Sequence, residues 1–229
     1  MLPIQQRLTP YNYTAMTSRD IKYIVVHYVG AISTAKNNAD YYANNKLQAS
    51  AHYFVDEKSI WQSVKDKDRA WHCGGGLQGQ NGHKFHGVCT NSNSIGIEMC
   101  VKKTSSGEWY FEPETVKNTV DLVKHLMDKH NIPIENVIRH YDVTGKNCPA
   151  PYVNEDNWRD FKNKLVEEEN MSQMIYNYVD ENMPEWARNT VQKLIDKGYL
   201  KGDADNELGL THDMLRILVI LDRTGVFDK

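Results

Sequence analysis

The sequence predicts an α/β domain, a central mixed β-sheet flanked by helices, followed by a small, mostly helical C-terminal module. Three observations carry that expectation. Residues 21–28 are a continuous apolar, β-branched run, the pattern of a strand buried on both faces. Strand-like and helix-like periods then interleave along the first two-thirds of the chain, as they do when helices cover a sheet. Finally, the charged run Glu167-Glu168-Glu169-Asn170 marks a boundary between a domain over 1–168 and a module over 171–229.

Element by element, residues 1–20 read as an irregular arm, because Pro3, Pro10 and several turn formers break any period. After the strand over 21–28, Thr34 can cap a helix over 34–47 in which Ala35, Ala39 and Tyr42 share a face. Residues 52–57 and 60–64 read as two strands of a hairpin turning at Asp56-Glu57-Lys58-Ser59. The stretch 72–93 is rich in Gly, Asn and His. Gly74-Gly75-Gly76 loses too much entropy to hold regular structure, and a loop this long in a compact domain is more often functional than filler. Residues 94–101 are strand-like. A helix is expected over 113–130, with Pro113 in its first turn and Val116, Val120, Val123 and Met127 at helical spacing. A short strand over 137–140 leads into a loop over 141–147, and a further helix over 154–168 aligns Trp158, Phe161 and Leu165. The C-terminal module carries helices over 184–197, stopped by Gly198, and over 211–223, capped by Thr211 and stopped near Gly225. Its core must be thin at that size.

The totals exclude several classes. A net charge of −3 makes no global case for nucleic-acid binding, and the C-terminal module is the more acidic part. The chain has no apolar stretch of about 18 residues, so no membrane span is expected. The start, Met1-Leu2-Pro3-Ile4-Gln5-Gln6-Arg7, lacks the basic and then apolar pattern of a secretory signal. Cys73, Cys89, Cys100 and Cys148 form no CxxC pair, so a disulfide scaffold is not expected; a Cys73–Cys89 bridge is left open against free thiols.

The chemistry concentrates in Arg139-His140-Tyr141-Asp142-Val143-Thr144-Gly145-Lys146-Asn147-Cys148. This run places an imidazole and a thiol eight positions apart, with an ammonium two positions before the thiol. His27 ends the first apolar strand, and Glu98 lies in the strand-like run Ser94-Ile95-Gly96-Ile97-Glu98-Met99. Two His and one Cys can hold zinc tetrahedrally with one position left for water. Taken singly, each residue has a blander role: a hydrogen-bonded structural His, an inert Cys, a satisfied carboxylate, a solvated Lys. Their joint presence favours the metal site.

The runs YIVVHYVG, ASAHYFVDE, AWHCGG, NSNSIGIEMC and RHYDVTGKNCP, in that order, resemble the zinc-dependent N-acetylmuramoyl-L-alanine amidases of the peptidoglycan-recognition-protein superfamily, the endolysin and autolysin type above all. The resemblance spans about residues 5–168. It implies zinc held by His27, His140 and Cys148, Glu98 as catalytic acid/base, and Lys146 as oxyanion donor. Some members carry a Tyr just before the His of the second block, where this chain has Ala51, which leaves Glu98 as the base. His72 is implied as a groove-lining contact to substrate, with His83 and His86 as cleft walls, and Asp142 as a structural residue of its own loop.

The implied activity is hydrolysis of the amide joining N-acetylmuramic acid to L-alanine, with bacterial peptidoglycan as partner. A protein without a signal sequence would reach the wall through lysis or another exit. Two rivals stay open: a non-catalytic peptidoglycan-recognition module on the same fold, and a protein whose zinc is purely structural. The C-terminal module, through Pro184-Glu185-Trp186-Ala187 and Lys197-Gly198-Tyr199-Leu200-Lys201-Gly202, resembles short tails on some prophage amidases and, more faintly, part of an S-layer-homology module. Wall binding and self-association are its two candidate roles. Asp203-Ala204-Asp205-Asn206-Glu207 fails as a calcium loop, because Leu208 and Met214 stand where Gly and a bidentate Glu are required.

Overall fold

The computed structural model describes residues 1–228, without the side chains of 167–173, so the charged run at 167–170 lies outside the described side chains. The chain forms two compact units, Met1–Leu165 and Val166–Lys229.

In chain order residues 1–173 hold β1 (Ile4–Gln6), β2 (Tyr23–Tyr28), α1 (Ala35–Asn44), β3 (Tyr53–Val55), β4 (Ile60–Gln62), β5 (Ser94–Met99), β6 (Lys102–Lys103), β7 (Trp109–Tyr110), α2 (Pro113–His130), β8 (Val137–Arg139), α3 (His140–Thr144) and α4 (Glu155–Gln173). Six strands make one sheet in the order β1-β4-β3-β5-β2-β8. It is mixed: β3 and β4 form the expected antiparallel hairpin, and all other neighbours run parallel. The separate β6–β7 ribbon is antiparallel.

Side chains alternate across a strand, so the register assigns each residue to a face. Ile24, Val26, Tyr53, Val55, Ile95, Ile97 and Met99 point to one face and pack with Leu122, Val123 and Leu126 of α2 and Trp158, Phe161 and Leu165 of α4. Burying each large apolar side chain contributes about 1.5–3 kcal/mol, so this face supplies most of the unit's cohesion. The intervening residues, Tyr23, Val25 and His27 on β2 and Ser94, Gly96 and Glu98 on β5, take the other face. Pairing of His27 with Glu98 across β2 and β5 sets those two side by side there.

Several boundaries follow from local chemistry. Thr34 caps α1, its hydroxyl accepting from Asn37 N at 3.1 Å. α2 begins at Pro113, and Asn131 ends it in the left-handed conformation. The predicted arm over 1–20 contains β1, which pairs in parallel with β4. Its triplet Ile-Gln-Gln carries too little apolar signal to read as a strand. The predicted loop over 141–147 is also corrected, because His140 opens a helical turn, α3. Asp142 accepts from Arg139 N at 2.8 Å and from its guanidinium, closing the start, and Gly145 at φ 75° closes the end. All four cysteines are free and buried, which settles the open Cys73–Cys89 bridge in favour of thiols.

The second unit contains the antiparallel pair β9 (Ile175–Tyr176) and β10 (Leu210–Thr211), with α5 (Glu185–Asp196) and α6 (His212–Arg223). Its core is Tyr176, Met183, Ala187, Val191, Leu210, Leu215 and Val219. Thr211 caps α6 by accepting from Met214 N, as its sequence implied.

Candidate metal centre

β2 ends on the face opposite α2 and α4 with His27. β8 runs beside it with Arg139 paired to Val26, so the next residue, His140, emerges next to His27. Their ring centroids are 4.7 Å apart. The α3 turn then reverses the chain, and Tyr141 N donates to Cys148 O at 2.8 Å, returning the cysteine to the start of the turn. Cys148 Sγ lies 3.7 Å from His27 Nδ1. One ligand atom from each of His27, His140 and Cys148 falls within 4.8 Å of the others, and all three residues are buried.

The electrostatics suit a cation. Burial, then the neighbouring His140, His72 and Lys146, hold the His27 imidazole well below its usual range. Burial and Lys146 push His140 down to about 4. Both rings are therefore neutral at physiological pH, with lone pairs available. Burial, with Glu98 adding to it, pushes the Cys148 thiol up to about 12. A thiol so placed ionises only when positive charge arrives, as it does on coordination. Both ring nitrogens of His140 are buried with no hydrogen-bond partner among the described residues. A buried polar atom left unpaired costs about 1–3 kcal/mol, so a group that satisfies it belongs there. Two imidazoles and one thiolate are a donor set that fits zinc.

Glu98 stands beside His27, and its Oε2 is likewise buried and unpartnered. Burial raises its carboxyl to about 8, against a smaller downward pull from Lys146. Lys146 itself is exposed, and its charge reaches His27, His140, Cys148 and Glu98. Ligand atoms of His27, His140 and Cys148 thus share one point, with Glu98 on the strand position beside His27 and the charge of Lys146 felt by all four.

His72 is brought to the same cluster, its ring edge-on to His27 with centroids 5.2 Å apart. Its ring is 9% exposed, with Nδ1 at 3.0 Å from His27 Nε2 and Nε2 at 3.2 Å from Ser94 Oγ. Both of its ring nitrogens therefore have partners inside the protein. His83 and His86 bond to the carbonyls of Gln80 and Val143 within the Gly-rich stretch and α3. Asp142 holds Arg139, in keeping with a structural role.

Four contributors were not singled out in the sequence. Asn91 Oδ1 accepts from the backbone N–H of His72 and Cys73. Ser94 anchors the His72 ring. Gly96 leaves room for it, since a Cβ there would meet His72 Cγ at 2.5 Å. His52 accepts from Gly96 N through Nδ1. A glycine inside a β-branched strand is the one available signal, because it marks close approach by another group. The Gly-rich stretch is also tied down: Gln78 N, His83 N and Phe85 N donate to the carbonyls of Thr144, Tyr141 and Asp142.

Comparisons with known proteins agree with this architecture. The family model of the N-acetylmuramoyl-L-alanine amidases (Amidase_2) matches residues 17–151. The amidase BlyA of Bacillus subtilis (strain 168) is 35% identical over 164 residues, covering 68% of this chain and 44% of BlyA. The solved structure of PlyL is 30% identical with a TM-score of 0.57, covering 72% of this chain and 97% of that one. The catalytic domain of XlyA is 28% identical with a TM-score of 0.57, covering 72% and 99%. The fold is therefore that of endolysin-type catalytic domains. The chain belongs to the N-acetylmuramoyl-L-alanine amidase family. It spans less than half the length of the first curated relatives it matches. No helix among the described residues is long and apolar enough to cross a membrane.

Proposed function

We propose that this protein is a zinc-dependent peptidoglycan amidase, cutting between N-acetylmuramic acid and the L-alanine of the stem peptide. The observation that carries the reading is the convergence of His27, His140 and Cys148 ligand atoms within 4.8 Å, beside a carboxylate. Family membership gives the substrate class. His27, His140 and Cys148 would hold the zinc. Bound there, it supplies a polarising charge for the scissile carbonyl and lowers the pKa of water toward about 7.

Glu98 takes the proton of the attacking water and delivers it to the departing amine. Its raised affinity for a proton suits that return step. Lys146, at the exposed rim, donates to the carbonyl oxygen as it gains negative charge. Neither role belongs to a purely structural zinc site. Removal of metal with a chelator should abolish release of new amino termini from purified walls, and zinc should restore it. A chain that binds walls but releases none, with or without zinc, would be a recognition module.

The C-terminal unit is assigned to wall attachment. Its support is a surface groove of about 500 Å³ lined by Trp186, His212, Arg216, Val219, Ile220 and Arg223. Trp186 is 42% exposed and meets the buried His212 ring edge-on at 5.4 Å. An aromatic face and two guanidinium groups suit an anionic glycan of the wall, and attachment would raise local enzyme concentration. Trp186→Ala combined with Arg216→Ala should weaken sedimentation with purified walls while leaving cleavage of small soluble muropeptides unchanged. Equal sedimentation of this variant and the parent would reject the assignment.

A further inference from the structure

We infer that His72 is a positioning residue for the metal ligand His27, the middle of a hydrogen-bonded chain that runs His27–His72–Ser94–Thr90 and fixes which His27 nitrogen faces the cluster. The inference rests on the zinc reading above and adds a residue role to it.

The direction of the chain can be derived from its far end. Thr90 O is a carbonyl and can only accept. Ser94 Oγ lies 2.6 Å from it and so commits its single proton there. Toward His72 Nε2, at 3.2 Å, the same oxygen can then only accept, so Nε2 carries the hydrogen. A neutral His72 is left with a bare Nδ1, which lies 3.0 Å from His27 Nε2 and must accept from it. His27 therefore carries its proton on Nε2. Its Nδ1 is bare and is the atom 3.7 Å from Cys148 Sγ. One backbone carbonyl, three bonds away, thus presents the His27 lone pair to the cluster. Metal-ligating histidines generally need such a partner on the second nitrogen to hold tautomer and ring orientation.

The His72 ring is itself held on several sides. The backbone N–H groups of His72 and Cys73 share Asn91 Oδ1, at 3.0 and 2.9 Å. The ring lies against Gly96, where any Cβ would clash, and His52 meets it edge-on with centroids 5.6 Å apart. A ring enclosed in this way is suited to orienting a neighbour.

The test uses the full chain with two variants, His72→Phe, which keeps a planar ring without polar atoms, and Ser94→Ala, which removes the anchor from outside the metal cluster. Zinc affinity is read by competition with a chromogenic chelator, and the His27 tautomer by imidazole 15N NMR of the metal-free protein. The expected result is Nε2–H on His27 in the parent, mixed tautomers in both variants, and zinc affinity reduced about 10- to 100-fold in His72→Phe. Ser94→Ala should show a smaller loss in the same direction, with KM for soluble muropeptide at saturating zinc unchanged. Parental zinc affinity in His72→Phe together with a raised KM would overturn the inference in favour of substrate contact. Nδ1–H on His27 in the parent would overturn it directly. A parent with no zinc affinity at all would defeat the zinc reading, and the tautomer measurement would still decide the chain. If His72→Phe does not fold, Ser94→Ala carries both readouts.

Discussion

On the sheet face covered by α2, Asp66 is surrounded by donors. Tyr53 Oη at 2.5 Å, Gln62 Nε2 at 3.0 Å, Lys129 Nζ at 2.8 Å and His130 Nε2 at 3.1 Å all reach its carboxylate. On the opposite face, Glu98 Oε2 and both His140 nitrogens are buried without partners among the described residues. The protonation behaviour follows. Burial alone would raise Asp66, but bonds from Lys129, Tyr53 and His130 outweigh it and hold the carboxyl near 2. Burial wins at Glu98 and lifts it to about 8. The same sheet therefore carries a carboxylate stabilised by its surroundings and another destabilised by them. The first is architecture, and the second is poised for a cation and a moving proton.

The largest expected effect comes from Glu98→Gln. Turnover on purified walls should fall about 10²- to 10⁴-fold, while zinc binding measured by competition stays at the parental level. Stability should report the same residue. A carboxyl raised from 4.5 to about 8 contributes stability that is fully present below about 4.5 and lost as pH rises through about 8. Glutamine has no charge to bury, so the metal-free variant should melt above the parent at pH 9, and the gap should narrow toward pH 5. Unchanged turnover in this variant would dissolve the contrast between the two faces.

Phe161→Ala tests the apolar face. It removes one of the largest fully buried side chains and should cost about 3–5 kcal/mol in denaturant unfolding, with kcat of the remaining folded protein preserved. Asp66→Asn should cost about 2 kcal/mol near neutral pH. The depressed carboxyl contributes stability present above about 3.8 and lost as pH falls through about 2, so variant and parent should converge in acid. A difference that persists at pH 2 would mean that packing, and not charge, is at stake. The smallest effect belongs to Thr34→Ala, which removes the α1 cap and should lower stability by about 1 kcal/mol without altering zinc affinity.

The sequence was most legible where one physical requirement dominates. Residues 23–28 and 94–99 announce themselves because a central strand must be apolar, and α2 because its apolar stripe is long and Pro113 marks its start. The five residues around the cluster were visible as chemistry, since His, Cys, Glu and Lys stand out against such runs. β1 was hidden because two of its three residues are Gln, placed by pairing with β4 while only Ile4 packs against the core. α3 was hidden because five residues are too few for a helical period, and its formation depends on the Arg139–Asp142 bonds and on Gly145. The position of His72 was hidden for a different reason. Whether a histidine 45 positions from His27 reaches its ring depends on the register of β5 and on the missing Cβ of Gly96, of which only the glycine leaves a local mark.

The three backbone bonds from Gln78, His83 and Phe85 to the carbonyls of α3 bear on protein engineering. They make the Gly-rich stretch and the turn that leads to Cys148 a single mechanical part, although 57 to 66 positions separate the bonded residues in the chain. Chimaeras that exchange one of these segments with a homologue should lose the other's geometry, so recombination junctions belong outside both.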